Sequence, residues 1–367
     1  MAISELRVWS SIYTTTLDDV RDEIPDQVHN HIVLTWFMRN KGRGKDRGDG
    51  AGRGFRFQNG GAKIRIPVVL EKNNNTKWYS RYEAMNVNPT DEITNGIDVM
   101  RQLSQTVGIS GDELDSNSGD AAKFNLLEEK MDIGEMGEAE KLETALVQGV
   151  ASGTRFIADA GGKAVLPLGY LIQKDFTNAD LIHEIPQVTE TDWRNRVVVS
   201  AAGAPFATFR KEMTNLYNTT SLGSSQDTVD LILSDQNYHE FYEGILAILQ
   251  RYPYDAFEND NAPSAGFRAL RFKNAVVMFS QFVPNYGNTA GDAVSLTQNA
   301  AQATAFFINT RQYEIVVSRK VNFAVDPFVV PYDQDAMWSK ILWRGQACML
   351  QRRKHGLHLG VDTTQIA

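Results

Sequence analysis

The stretch from Ala62 to Ser110 has the pattern of strands but no means of burying them, and this limits the fold more than any other feature. β-Branched residues alternate at Ile64, Ile66 and Val68, the polar triplet Asn73–Asn75 supplies a turn, and Thr76 to Glu83 resumes with Trp78, Tyr79 and Tyr82. This predicts a hairpin. A run rich in Asn and Asp follows to Asn95, and a second strand-like run, Leu103 to Ser110, closes the unit. Nothing within it forms its own core, and an isolated hairpin is marginal in water. It must lie on another surface, and its aromatic rings suit a neighbouring subunit as well as they suit the parent lobe.

The flanking segments differ sharply. Leu17 to Arg39 carries Val28, Ile32, Val33, Trp36 and Phe37 near helical spacing, with Asp26 as an acidic cap, which predicts a helix in its second half. From Lys41 to Gly61 the chain is Gly-rich and without hydrophobic period; with Arg39 just ahead of it, the basic residues are Lys41, Arg43, Lys45, Arg47, Arg53 and Arg56. This reads as a flexible arm or linker. Its glycines lack the preceding strand and the Gly-Lys-Ser/Thr ending of a phosphate loop. Arg53 to Phe57 echoes an RNA-binding sheet motif, but the partner motif is missing.

Ser118 to Ser152 is the longest helical candidate, with Phe124, Leu127, Met131, Leu142, Leu146 and Val150 on one stripe. Gly134 and Gly137 weaken its middle by about 1 kcal/mol each relative to alanine, which predicts a bend or fraying there. Between Thr154 and Tyr313, strand-like runs (Val197–Val199, Val229–Leu233, Leu270–Phe272, Ala275–Phe279, Phe306–Ile308) alternate with helices at Pro205–Leu216 and Gln236–Tyr252. One compact α+β lobe is expected. Extended runs Tyr313–Val317, Val321–Val330 and Ile341–Leu350 follow, then the basic cluster Arg352, Arg353 and Lys354.

At 367 residues the chain is long enough for two or three lobes. Its net charge of -8 disfavours bulk attraction to nucleic acid, so any DNA contact must be local. The single cysteine, Cys348, has no internal disulfide partner and reads as a small buried hydrophobe, as suits a reducing cytoplasm. The start lacks a secretory pattern, and no apolar run approaches a membrane span.

The candidate chemical motifs are fragments without context. His29 with His31, and His355 with His358, have spacings seen in metal sites but lack further ligands nearby, and read as surface or lightly packed histidines. Asp112, Glu113 and Asp115, like Glu128 and Glu129, read as solvated faces or helix-start bias. There is no Gly-x-Ser-x-Gly elbow. No catalytic residue, metal or cofactor is expected, and the chain is not expected to be an enzyme.

The order of elements resembles the tailed-bacteriophage major capsid proteins of the Hong Kong 97-like fold. The resemblance rests on Gly60-Gly61-Ala62-Lys63-Ile64 leading into the hairpin, Tyr79-Ser80-Arg81-Tyr82-Glu83, the Ser110 to Leu114 turn, Phe323 to Phe328 followed by Pro331 to Asp335, and the closing Arg352 to Gly356. It implies an α+β fold with an N-terminal arm over 1–60, an extended loop over 61–112, a spine helix and the first part of a peripheral domain over 113–190, an axial domain over 191–312, and return strands over 313–367. The implied function is self-assembly, as hexamers and pentamers, into an icosahedral shell around double-stranded DNA. Trp78, Tyr79, Arg81, Tyr82 and Glu83 would then meet a neighbouring subunit, and the basic arm residues would touch neighbours or DNA. A portal and a decoration protein are further expected partners. The chain reaches Trp9 and Tyr13 almost at once, so scaffolding is expected from a separate protein. Some relatives weld subunits through a lysine and an asparagine, but no such pair is identifiable here. The implied location is the virion, after synthesis in the host cytoplasm. Three readings compete: an encapsulin-like shell around cargo enzyme, an enzyme of unrecognised type, and a nucleic-acid-binding module, against which the acidic balance speaks.

Overall fold

The computed structural model describes residues 28–40, 54–73, 75–87, 91–116, 126–159, 161–177, 180–200, 205–222, 227–248, 270–288 and 291–364. In chain order, helix α1 (Leu34–Asn40) precedes β1 (Phe55–Gln58), the hairpin strands β2 (Lys63–Val69) and β3 (Ile93–Val99), the long strand β4 (Arg101–Ser110), α2 (Gly111–Ser116) and the long helix α3 (Leu126–Val147). Two short pairs, β5 (Val150–Ser152) with β6 (Arg155–Ile157) and β7 (Leu181–Ile182) with β8 (Ile185–Pro186), flank the turn α4 (Leu168–Leu171). There follow β9 (Arg196–Val199), α5 (Pro205–Ser221), β10 (Leu231–Ser234), α6 (Gln236–Ile248), β11 (Leu270–Phe272), β12 (Ala275–Phe279), β13 (Ala303–Ile308), β14 (Tyr313–Ser318), β15 (Ala324–Val325), β16 (Ala336–Met349) and β17 (Gly356–Val361). No helix among the described residues is long and apolar enough to cross a membrane.

The expected α+β lobe is built on a six-stranded sheet in the order β11-β12-β10-β13-β17-β9. Its central strands read as unbroken apolar runs because both faces are covered. Leu231, Leu233, Phe306 and Ile308 join one core, while Ile232, Ala305 and Phe307 join another beneath α5 and α6. That alternation is the two-residue period of a strand expressed as two cores. The sequence placed the residues after Tyr313 outside this lobe. Instead β17 is inserted between β13 and β9, pairing antiparallel with the first and parallel with the second.

The second sheet runs β1-β14-β16-β15, and β4 lies along the other edge of β16 in register from Ser110 opposite Ala336 to Arg101 opposite Gly345. Two sequence expectations are corrected here. Thr76–Glu83 is not the return strand of the hairpin: β2 pairs with β3, Lys63 opposite Val99 through Val69 opposite Ile93. Leu103–Ser110 does not close the hairpin either; it continues from β3 past Met100 into the ribbon with β16. Part of the expected arm also belongs to the body. Leu34, Phe37 and Met38 of α1 are buried in the main core, and β1 runs parallel to β14 with Phe55 and Phe57 packed against that core.

At the end of β4 the chain turns by a reciprocal cap. Ser110 Oγ accepts from the N–H of Glu113 at 3.2 Å, and Glu113 Oε2 accepts from the N–H of Ser110 at 3.1 Å. The Ser-Gly-Asp-Glu sequence is thus a capping box that starts α2. Lys130 Nζ, 2.7 Å from Glu113 Oε2, ties α3 to it. The fraying expected in the middle of α3 is absent: the helix is continuous through Gly134 and Gly137. A Cβ at Gly134 would lie 2.7 Å from Val107 Cγ2 and 3.4 Å from Ile341 Cδ1. The glycine therefore serves close approach of helix to ribbon, not flexibility. Of the expected stripe, Leu142 and Leu146 are buried, Met131 is half-buried and Val150 lies exposed in β5; Phe124 falls outside the described residues.

Candidate assembly surfaces

The base of the hairpin is anchored and its tip is not. Ile64 and Ile66, on one face of β2, are buried with Met100, Val316 and Cys348, with Val68 and Leu350 packed alongside. The opposite face, Lys63, Arg65, Pro67 and Val69, is exposed. Cys348 is buried as the sequence suggested, and burial pushes its thiol well above the ordinary range.

The turn between β7 and β8 clamps β3 onto this base. His183 and Glu184 both have positive φ, at 57° and 63°, the conformation a two-residue hairpin turn requires. The turn delivers His183 into the protein interior. Its carbonyl accepts from the N–H of Ile97 at 3.0 Å, and its Nε2 accepts from the N–H of Met349 at 3.1 Å. With Nε2 accepting, Nδ1 carries the hydrogen and bonds the Asp98 carboxylate of β3. One histidine thus joins hairpin, turn and the end of β16, and neither its position nor its partners could be read from spacing.

Beyond Leu70, the hairpin tip carries apolar side chains into solvent. Lys77 Nζ is 2.8 Å from Glu83 Oε1, Ser80 N–H donates to Glu83 Oε2 at 3.3 Å, and Glu83 N–H donates to Ser80 O at 3.0 Å. Lys77, ahead of the Ser80 bond, holds the Glu83 carboxyl below its usual range. This local turn presents Trp78, 98% exposed, and Tyr82, 94% exposed, with Tyr79, Met85 and Val87 also outside. Arg81 and Glu83 are exposed beside them. The rings therefore do not pack on the parent lobe, one of the two options the sequence left open. Met85 and Val87, isolated apolar residues in a polar stretch of sequence, extend the same patch.

A second apolar projection lies between β15 and β16, where Val325, Val329, Val330 and Tyr332 are exposed. Its signal in the sequence was an apolar run bounded by prolines and lacking any period. Of the expected arm residues, Arg39 is exposed, whereas Arg56 is half-buried in β1 with Nη1 3.7 Å from Glu314 Oε2. Lys41, Arg43, Lys45, Arg47 and Arg53 lie outside the described residues.

The described residues hold no group of three His, Cys, Asp or Glu side chains placed for a metal. The expectation that His355 and His358 are surface or lightly packed is wrong, because both are fully buried around the central strand β17. His358 Nδ1 lies 2.8 Å from Tyr238 Oη, and its Nε2 lies 3.3 Å from Glu212 Oε2. Burial pushes His355 down to about 3 and lowers His358 as well, so both are neutral packing groups near pH 7. The basic cluster is likewise internal: Arg352 is buried, and Lys354 Nζ sits 2.9 Å from Asp227 Oδ2.

No sequence-family profile matches the chain, and no characterised protein matches it by sequence. Solved structures do match. The cyanophage A-1(L) capsid superposes with a TM-score of 0.63 at 11% identity, over 94% of this chain and 97% of that one. The capsid of Myoviridae phage XM1 gives 0.52 at 10% identity, over 94% and 96%. The SrpI encapsulin of Synechococcus elongatus gives 0.55 at 10% identity, over 95% of both chains. Coverage is near-complete in both directions, and the chain therefore has the α+β, Hong Kong 97-like fold of the tailed-phage capsid proteins.

Proposed function

We propose that this chain is a major capsid protein, a structural subunit whose copies assemble as hexamers and pentamers into an icosahedral shell around phage double-stranded DNA. The observation that carries this is the hairpin tip. Trp78 and Tyr82 stand almost wholly in solvent on a loop held by its own Lys77–Glu83 and Ser80–Glu83 bonds. Leaving such rings wet forgoes about 1.5–3 kcal/mol each. A neighbouring copy supplies the missing surface.

In this reading Trp78, Tyr79, Arg81, Tyr82 and Glu83 form a subunit contact, with residues 61–112 acting as the extended loop. Residues 1–60 act as an arm whose basic residues, Arg39, Lys41, Arg43, Lys45, Arg47, Arg53 and Arg56, touch neighbours or DNA weakly. Residues 113–190 carry the spine helix, 191–312 the axial domain, into whose sheet β17 is inserted, and the rest of 313–367 the peripheral return. Contacts between unlike patches close into rings, and many modest contacts per subunit add up to a stable container. A net charge of -8 keeps the lining from gripping the genome. Separate scaffolding, portal and decoration proteins complete the particle, assembled in the host cytoplasm.

The likeness to an encapsulin favours a second reading, a shell around protein cargo. Negative-stain microscopy of the purified protein should reveal closed particles, rings or tubes; monodisperse monomers across salt and crowding conditions would overturn both readings. Nuclease-protected DNA in native particles selects the phage reading, and protein cargo alone selects the other.

A further inference from the structure

A cleft of about 650 Å³ separates the hairpin, along residues 65–72, from the body at the start of β14 and the segment after β16. Six cationic side chains line it, Arg56, Arg65, Lys72, Arg311, Arg352 and Arg353, against the carboxylates of Glu71, Asp192 and Glu314. The cleft thus carries an excess of three positive charges in a chain of net charge -8. Arg56 is matched by Glu314. The side chains of Arg65, Lys72, Arg311 and Arg353 make no hydrogen bond or ion pair with another described residue.

Arg352 sharpens the imbalance. It is 0% exposed, and its guanidinium donates only to neutral acceptors: Leu171 O at 2.8 Å, Asn195 Oδ1 at 3.1 Å and Gln187 Oε1 at 3.4 Å. Burial disfavours this charge, and the carboxylate acting on it, Asp180, is already paired with Arg155, so a further anion in the cleft would be stabilising. Guanidinium forks match phosphate oxygens in pairs, and the volume suits a compact multivalent ligand.

We propose that this cleft binds a phosphate-bearing anion, which bridges Arg65 and Lys72 on the hairpin to Arg311 and Arg353 on the body and fixes the hairpin's angle. Its phosphates come either from a free polyphosphate chain or from a nucleic-acid backbone.

The test is calorimetric titration of the full-length chain with inorganic tripolyphosphate at low ionic strength, with a short DNA duplex titrated in parallel. Saturable tripolyphosphate binding is expected, accompanied by slower hydrogen exchange over residues 63–72. Affinity should fall at least about tenfold in Arg311→Ala/Arg353→Ala and, separately, in Arg65→Ala/Lys72→Ala. The second pair lies on the exposed face and leaves the fold intact. Duplex binding that depends on the same four residues assigns the phosphates to nucleic acid, and tripolyphosphate binding without it assigns them to a small anion. Absence of binding by both ligands, or binding unchanged in both double variants, overturns the proposal.

Discussion

Glu143 of α3 caps the start of α1 from far along the chain, its Oε1 accepting the N–H of Leu34 at 2.6 Å. The same oxygen takes the N–H of Val33 at 3.1 Å, and Oε2 takes both the N–H and the hydroxyl of Thr35, at 3.0 and 2.5 Å. Burial pushes this carboxyl up while the Thr35, Leu34 and Val33 bonds favour its anion. Glu143→Ala should cost the unassembled subunit about 2–4 kcal/mol in urea unfolding, because several buried donors lose their acceptor at once. Glu143→Gln keeps one acceptor and should cost less. Equal and negligible losses would mean that α1 is held by its apolar face alone.

The two glycines of α3 should respond in opposite directions. A Cβ at Gly134 meets Val107 Cγ2 at 2.7 Å, whereas at Gly137 the nearest atom, His29 Nε2, is 3.6 Å away. Gly137→Ala should stabilise by about 0.5–1 kcal/mol through helix propensity. Gly134→Ala should destabilise despite the same gain, since a packed valine rather than a flexible side-chain end must give way. Thermal melts of the two variants beside the parent decide it.

Glu138 gives the subunit a pH signature. It is 1% exposed with both carboxylate oxygens unpartnered, and burial, with Glu135 adding repulsion, pushes it up to about 7. Its folded value exceeds the unfolded one, so the native state holds a proton that the unfolded chain releases between about pH 4.5 and 7. Stability from this group is therefore present below pH 4.5 and lost as pH rises through 7. Glu138→Gln should match the parent near pH 4 and exceed it by on the order of 1–3 kcal/mol at pH 8. A difference independent of pH would show that the folded and unfolded chains bind this proton equally, and would remove the shift at Glu138.

The hairpin tip should matter to assembly and not to the subunit. Trp78→Ala with Tyr82→Ala removes rings that touch almost nothing within the chain, so the monomer's unfolding should change by less than about 0.5 kcal/mol. Particle yield by size exclusion and microscopy should drop sharply. A large loss of monomer stability, or normal particles, would remove the hairpin from the contact.

Local pattern made several elements legible. Ile64, Ile66 and Val68 announced β2, the Pro205 and Gln236 helices lie where their apolar sides predicted, and the exposed Trp78 and Tyr82 stand on the loop singled out for lacking a core. Pairing was not legible. Val69 finds Ile93 across a long excursion, and Ser110 finds Ala336 from the far end of the chain. A two-residue period says which face is buried but not which strand supplies the partner. The buried polar groups were hidden for a related reason. His183, His358 and Arg352 owe their burial to partners such as Asp98, Tyr238 and Asn195, which converge only in three dimensions.

The position of β17 sets a timetable for making the subunit. Among the described residues β9 pairs with β17 alone, whose His358 lies opposite Val198 some 160 residues later in the chain. At about 5–20 residues per second, a ribosome needs roughly 8–30 s to supply that partner. From the completion of β13 until β17 arrives, the lobe is a sheet with a slot, its β13 edge open and its second core unsealed on the β17 side. Completion of the lobe is thus a late, nearly all-or-none event in synthesis, and a nascent chain cannot present finished surfaces to its siblings before it.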